Sequence, residues 1–97
     1  MALIRKSELN YTYNWKPVPE NDPRISGEPD LTLLNRNQGP EVLYIINLFA
    51  ARNNLKDLSD ALKLEKIIKE YLPGIFRTQL HTIQWLQNNW KNFNTFL

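Results

Sequence analysis

Five of the six prolines in this 97-residue chain lie between residues 17 and 40. Proline fixes the backbone φ angle, removes a hydrogen-bond donor and biases the preceding residue towards extended geometry. Residues 17–30 carry four of these prolines together with Gly27, so we expect an extended, turn-rich stretch there with no long helix. The chain therefore divides near residue 39, into an N-terminal arm over residues 1–38 and a regular part over residues 39–97.

Ahead of the prolines, Leu9, Tyr11, Tyr13 and Trp15 alternate with polar residues. Such alternation with aromatic side chains is typical of a strand, but a single strand needs a partner. The pattern predicts either a short strand or an extended segment whose aromatic rings pack on the helices. After the prolines, Asp30 is expected to cap a short turn over residues 31–34, with two or three of those side chains buried.

Two helices are predicted next, over about residues 40–52 and 58–72. The first begins at Gly39–Pro40, ends at Asn53–Asn54 and is apolar around nearly its whole circumference, which is typical of a buried helix. A homodimer is one way to cover such a helix. The second is expected to begin with Asp57 as its cap and to end at Pro73–Gly74. Its charged face, which we expect to be solvated, consists of Lys63, Glu65, Lys66, Lys69 and Glu70.

The third helix is predicted over about residues 74–93. Its apolar stripe covers about 140° of a helical wheel and contains Ile75, Phe76, Leu80, Ile83, Leu86, Trp90 and Phe93. Because only Pro73–Gly74 separates it from the second helix, the two should form a hairpin with facing apolar stripes. The predicted fold class is all-α (mainly helical), a three-helix domain with an extended Pro-rich N-terminal arm.

Composition excludes several kinds of chemistry. The chain has no cysteine and one histidine, His81, which excludes disulfides, zinc–thiolate sites and multi-histidine metal sites within one chain. No carboxylate lies near His81 on its helix to orient the imidazole, so we expect no enzyme, no cofactor and no metal site.

The most apolar run is shorter than the roughly 20 residues that cross a membrane, and no signal peptide is visible. We therefore expect a cytoplasmic protein with no membrane partner.

The face of the third helix opposite its apolar stripe is polar and has no acidic residue. Its candidate binding residues are Arg77, His81, Gln84, Trp85, Asn88 and Lys91. Trp85 is the unusual member, because a tryptophan off the stripe must either be covered by the arm or form an interface. The arm aromatics Tyr11, Tyr13 and Trp15 are a secondary set of candidates.

These features predict a small non-enzymatic protein-interaction module, binding another protein or itself as a homodimer. The alternative is a nucleic-acid-binding accessory or regulatory protein that uses the outer face of the third helix, since Arg, Gln and Asn side chains donate to phosphates and base edges. The formal net charge of +2 gives only a weak long-range field. Phosphate binding weakens steeply with salt, which separates the two predictions.

Overall fold

A computed structural model describes residues 3–19, 21–27, 30–75 and 78–90. It contains the helices α1 (Gly39–Arg52), α2 (Leu58–Glu70) and α3 (Gln79–Asn89), and a 3₁₀ turn at Lys6–Glu8. The described residues form no regular strand, and their β-pairing is limited to two isolated bridges. The predicted all-α class with three helices is confirmed.

Helix α1 is the centre of the molecule, and both other helices pack against it. The hairpin of α2 and α3 with facing stripes is therefore wrong. Each of these helices turns its apolar stripe towards α1, because α1 is the element with apolar side chains on all sides. The buried core consists of Ile4, Leu34, Val42, Ile45, Ile46, Phe49, Ala61, Leu64, Ile67, Ile68, Leu72, Ile83 and Leu86.

Helix α1 ends where the sequence predicted, at Asn53–Asn54. Asn54 adopts a left-handed backbone with φ of 56°, a conformation that asparagine tolerates better than most residues. This left-handed residue reverses the direction of the chain, and the Leu55 amide then donates to the Ala50 carbonyl at 2.9 Å. This bond closes the helix as in a Schellman motif, and Leu55 packs against the core beside it.

The ends of α2 differ from the prediction. Asp57 is the N-cap residue, but its side chain makes no capping hydrogen bond. The helix ends at Glu70, two residues early, and the chain beyond it is held by Arg36. The Arg36 guanidinium donates to the carbonyl oxygens of Leu72 at 2.6 Å and Pro73 at 2.7 Å. A cation suits the negative end of the helix dipole.

The charged face of α2 is not solvated as the sequence suggested. Lys63 is 7% exposed and Glu65 is fully buried, whereas Glu70 remains exposed. The Lys63 ammonium lies 4.1 Å from the centroid of the Trp90 ring, so a cation–π contact accompanies its burial. Both faces of α2 are therefore covered over much of its length.

The N-terminal arm covers Glu65. The carboxylate accepts hydrogen bonds from the amides of Asn10 at 2.9 Å and Tyr11 at 3.1 Å, and from the Tyr13 hydroxyl at 2.7 Å. A buried carboxylate is costly unless its oxygens are hydrogen-bonded. These three donors meet that requirement and fasten the arm to α2.

Asn47 attaches the start of the arm to α1. Its side-chain oxygen accepts from the amides of Leu3 at 2.8 Å and Ile4 at 3.0 Å, and its side-chain nitrogen donates to the Ile4 carbonyl. Ile4 is fully buried in the core. Every α1 residue from Gly39 to Ala50 is buried or half-buried within one chain. Covering α1 therefore does not require a homodimer.

Helix α3 begins at Gln79, five residues later than predicted. Thr78 has extended backbone geometry, and its hydroxyl oxygen accepts from the His81 amide at 3.1 Å. This N-cap fixes the helix start. Ile75 consequently precedes the helix and is 80% exposed, so its assignment to the apolar stripe was wrong. The predicted residues 91–93 of this helix, like Phe76, lie outside the described residues.

The arm contact leads to a stability prediction. Glu65→Gln replaces one acceptor oxygen by an amide group that faces amide donors, so the free energy of unfolding should fall by about 2 kcal/mol. Glu70→Gln, on the exposed end of the same helix, should change it by less than about 1 kcal/mol. Urea denaturation followed by circular dichroism measures both. Equal effects would contradict the assigned role of Glu65.

Candidate functional site

The exposed face of α3 contains three of the predicted binding residues. His81, Gln84 and Asn88 are exposed, while the opposite side of the helix buries Ile83 and Leu86. This arrangement follows from the helical spacing, since residues three and four apart share one face. Arg77 and Lys91, the predicted cations of this face, lie outside the described residues.

Trp85 lies at the edge of this face, not at its centre. It is half-buried and packs against the hydrophobic core. Its carbonyl accepts a hydrogen bond from the Asn89 side chain at 2.8 Å. The Tyr11 and Tyr13 hydroxyls of the arm bond to α2, and the Lys6 ammonium lies over the Trp15 ring.

Residues 30–33 lie at the surface beside α3, although the sequence predicts that two or three side chains of residues 31–34 are buried. The carbonyls of Asp30 and Thr32 accept from the amides of Leu80 and Gln79, both at 2.9 Å. Leu33 also forms an isolated antiparallel bridge with Thr78. Residues 30–33 therefore run along the start of α3.

Of residues 31–34, only Leu34 is buried in the core. Leu31 and Leu33 are each 67% exposed. The expectation that two or three of these side chains are buried was therefore too high. Asp30 does act at the turn, where its carboxylate accepts from the Thr32 amide at 2.7 Å. Hydrogen bonds from the side chain and from the amide of Thr32 lower the pKa of Asp30.

The three arm aromatics are fixed by different contacts. The Tyr11 hydroxyl donates to Glu70 and the Tyr13 hydroxyl to Glu65. The Trp15 ring lies edge-on to Tyr13, with 6.0 Å between ring centroids. The ring also packs so closely against Gly39 that a Cβ atom on residue 39 would overlap it. The sequence alternation gave no sign of the Glu65 and Gly39 contacts.

Hydrogen bonding to carboxylates changes the acidity of both arm tyrosines. The bond to Glu70 raises the pKa of Tyr11 from 10.0 to about 12. Burial, together with the hydrogen bond to Glu65, raises the pKa of Tyr13. In both cases an ionised phenol next to a carboxylate would place two negative charges side by side.

Among the described residues, no group of three or more His, Cys, Asp or Glu side chains is placed to hold a metal ion. Within the same part of the chain, no helix has the length and apolar character needed to cross a bilayer. No protein-family model, curated protein or solved structure matches the chain.

The two tryptophans should differ in their contribution to stability. Trp90 contacts Phe49 edge-on, with centroids 5.7 Å apart, and lies beneath the Lys63 ammonium. Trp90→Ala should therefore cost about 3 kcal/mol, and Trp85→Ala less than half as much. Urea midpoints of the two variants test this. Equal losses would show that Trp85 is a core residue and not part of a binding face.

The Tyr11 hydroxyl gives a pH-dependent prediction. Its pKa is raised in the folded protein, so its contribution to stability is complete below pH 10.0 and is lost as the pH rises through about 12. In the Glu70→Gln variant, the absorbance of tyrosinate should show that the pKa of Tyr11 lies nearer its usual value. The Tyr11→Phe variant identifies that transition. Superimposable curves for the parent and Glu70→Gln would contradict the Tyr11–Glu70 contact.

Proposed function

We propose that the protein is a non-enzymatic protein-interaction module that binds a second copy of itself through one surface beside and along α3. This α3 surface is formed by the exposed residues Leu31, Leu33, His81, Gln84 and Asn88. The observation that carries the proposal is the pair of leucines, each two-thirds exposed and held at the start of α3 by backbone hydrogen bonds. The expected cytoplasmic location remains part of the proposal.

The leucine pair supports an interface because apolar side chains gain free energy when they leave water. Single exposed apolar residues are ordinary, but neighbouring ones in a fixed segment form a patch that a partner can cover. The amide side chains of Gln84 and Asn88 extend this patch with groups that both donate and accept hydrogen bonds. An apolar centre with a polar rim is the usual composition of an interface.

Charge favours a second copy as the partner. In a two-fold dimer the same patch meets itself, so like charges on it would repel each other. The five residues that define the α3 surface include no Lys, Arg, Asp or Glu, and the Asp30 carboxylate, next to Leu31 in the chain, accepts a hydrogen bond from the Thr32 amide. The five described residues that define this surface therefore bring no like charges together in a two-fold dimer.

The other function expected from the sequence, nucleic-acid binding by the outer face of α3, stays a prediction. The residues described on that face supply amides and one histidine, whereas phosphate binding depends on cations. Among the described residues of this face, no observation favours nucleic acid over protein.

Sedimentation velocity across micromolar concentrations tests the proposal. The parent should form a dimer whose dissociation constant changes little with salt. Leu31→Ser/Leu33→Ser should weaken the dimer by about tenfold or more without lowering the thermal midpoint. Leu58→Ser changes a leucine that is 38% exposed at the start of α2, and it should leave the dimer intact.

A parent that stays monomeric would overturn self-association. A dimer that is equally sensitive to Leu58→Ser, or insensitive to the leucine pair, would overturn the choice of surface.

A further inference from the structure

The first half of the arm forms a groove on a different part of the molecule from the α3 surface. This arm groove has a volume of about 480 Å³, and its walls include Arg5, Lys6, Tyr11, Tyr13 and Trp15. That volume lies within the range of small-ligand sites. The residues described as lining it include two cations, three aromatic rings and no carboxylate.

The aromatic walls of the arm groove are held in place before any ligand arrives. Tyr13 is anchored through its hydroxyl to Glu65, and the Lys69 ammonium lies 4.8 Å from its ring centroid. Backbone hydrogen bonds of 2.8 Å from Asn14 to Asn37 and from Gly39 to Asn14 fix the chain next to Trp15. Rings fixed in this way lose little entropy when a planar group stacks on them.

The cations lie beside these rings. Arg5 and Lys6 are exposed, and the Lys6 ammonium is 4.7 Å from the centroid of the Trp15 ring. The nearby Glu8 carboxylate accepts from the Arg5 amide at 2.9 Å, so one of its oxygens is already engaged. The arm groove thus presents positive charge next to aromatic surface.

We propose that the arm groove binds single-stranded nucleic acid, with Arg5 and Lys6 contacting phosphates and the exposed parts of the Tyr11 and Trp15 rings stacking on bases. A ligand that is both anionic and planar matches both features of the groove. Single strands present unstacked bases to aromatic side chains, whereas a duplex keeps its bases stacked inside. The site is separate from the proposed self-association and does not rest on it.

The test uses the full chain and a fluorescein-labelled oligothymidylate of roughly 10 nucleotides, with fluorescence anisotropy as the readout. Two phosphate contacts predict that the logarithm of the association constant falls with the logarithm of the salt concentration with a slope of about −1.4. Binding at about 200 mM salt should therefore be about sevenfold weaker than at about 50 mM. Arg5→Ala/Lys6→Ala should remove this slope and weaken binding at about 50 mM salt by tenfold or more.

A matched control removes the same charge elsewhere. Arg52→Ala/Lys56→Ala changes two exposed cations at the end of α1 and in the following loop, and it should retain most of the binding. Leu31→Ser/Leu33→Ser should also bind as the parent does, which separates this site from the α3 surface. An abasic oligonucleotide of the same length should bind about fivefold more weakly or worse, because it lacks the stacking groups.

Several results would overturn the proposal. One is a parent that fails to bind at about 50 mM salt, and another is an equal loss of affinity in the two double cation variants. A duplex that binds more tightly than the oligothymidylate, or an abasic strand or an oligoglutamate peptide that binds as tightly, would equally contradict it. Equal affinity for oligoglutamate would identify the groove as a site for acidic protein segments.

Discussion

The carboxylate of Glu65 is buried in the middle of α2, and its hydrogen-bond donors come from the arm and not from α2 itself. Without the arm, this carboxylate would need water, and the amides of Asn10 and Tyr11 would lose their acceptor. Arm and helix therefore depend on each other, because each supplies the polar partner that the other requires. Tyr13, and with it the wall of the arm groove, is positioned by the same contact.

The same principle holds along the rest of the arm. A segment without regular secondary structure has backbone amides and carbonyls that must find partners elsewhere. Helix side chains provide them: Asn47 bonds to the chain at Ile4, Glu41 accepts from the Asn35 amide at 3.1 Å, and Gln79 donates to the carbonyl of Pro23 at 2.9 Å. Buried and half-buried polar side chains on the helices thus hold the arm at several points.

This arrangement leaves two surfaces with different chemistry. The residues that define the α3 surface combine exposed leucines with polar side chains and include no Lys, Arg, Asp or Glu, whereas the arm groove combines aromatic rings with cations. Both are built on backbone that is hydrogen-bonded to a helix: residues 30–33 at the start of α3, and the chain around Asn14 at the start of α1. Fixed geometry lowers the entropic cost of binding at either surface.

The sequence by itself determined the three helices, the buried character of α1, the end of α1 at Asn53–Asn54 and the exposed polar face of α3, because helical periodicity and backbone preferences are local. It did not determine that Glu65 is buried or that Leu33 is exposed. Periodicity identifies the apolar face of a helix such as α2, but whether the other face meets water depends on where a distant segment lies. The arm has no helical periodicity, and its path depends in part on hydrogen bonds between residues more than 40 positions apart, such as Ile4 with Asn47 and Tyr11 with Glu65. Only the tertiary structure decided these contacts, and with them the two surfaces that we propose for binding.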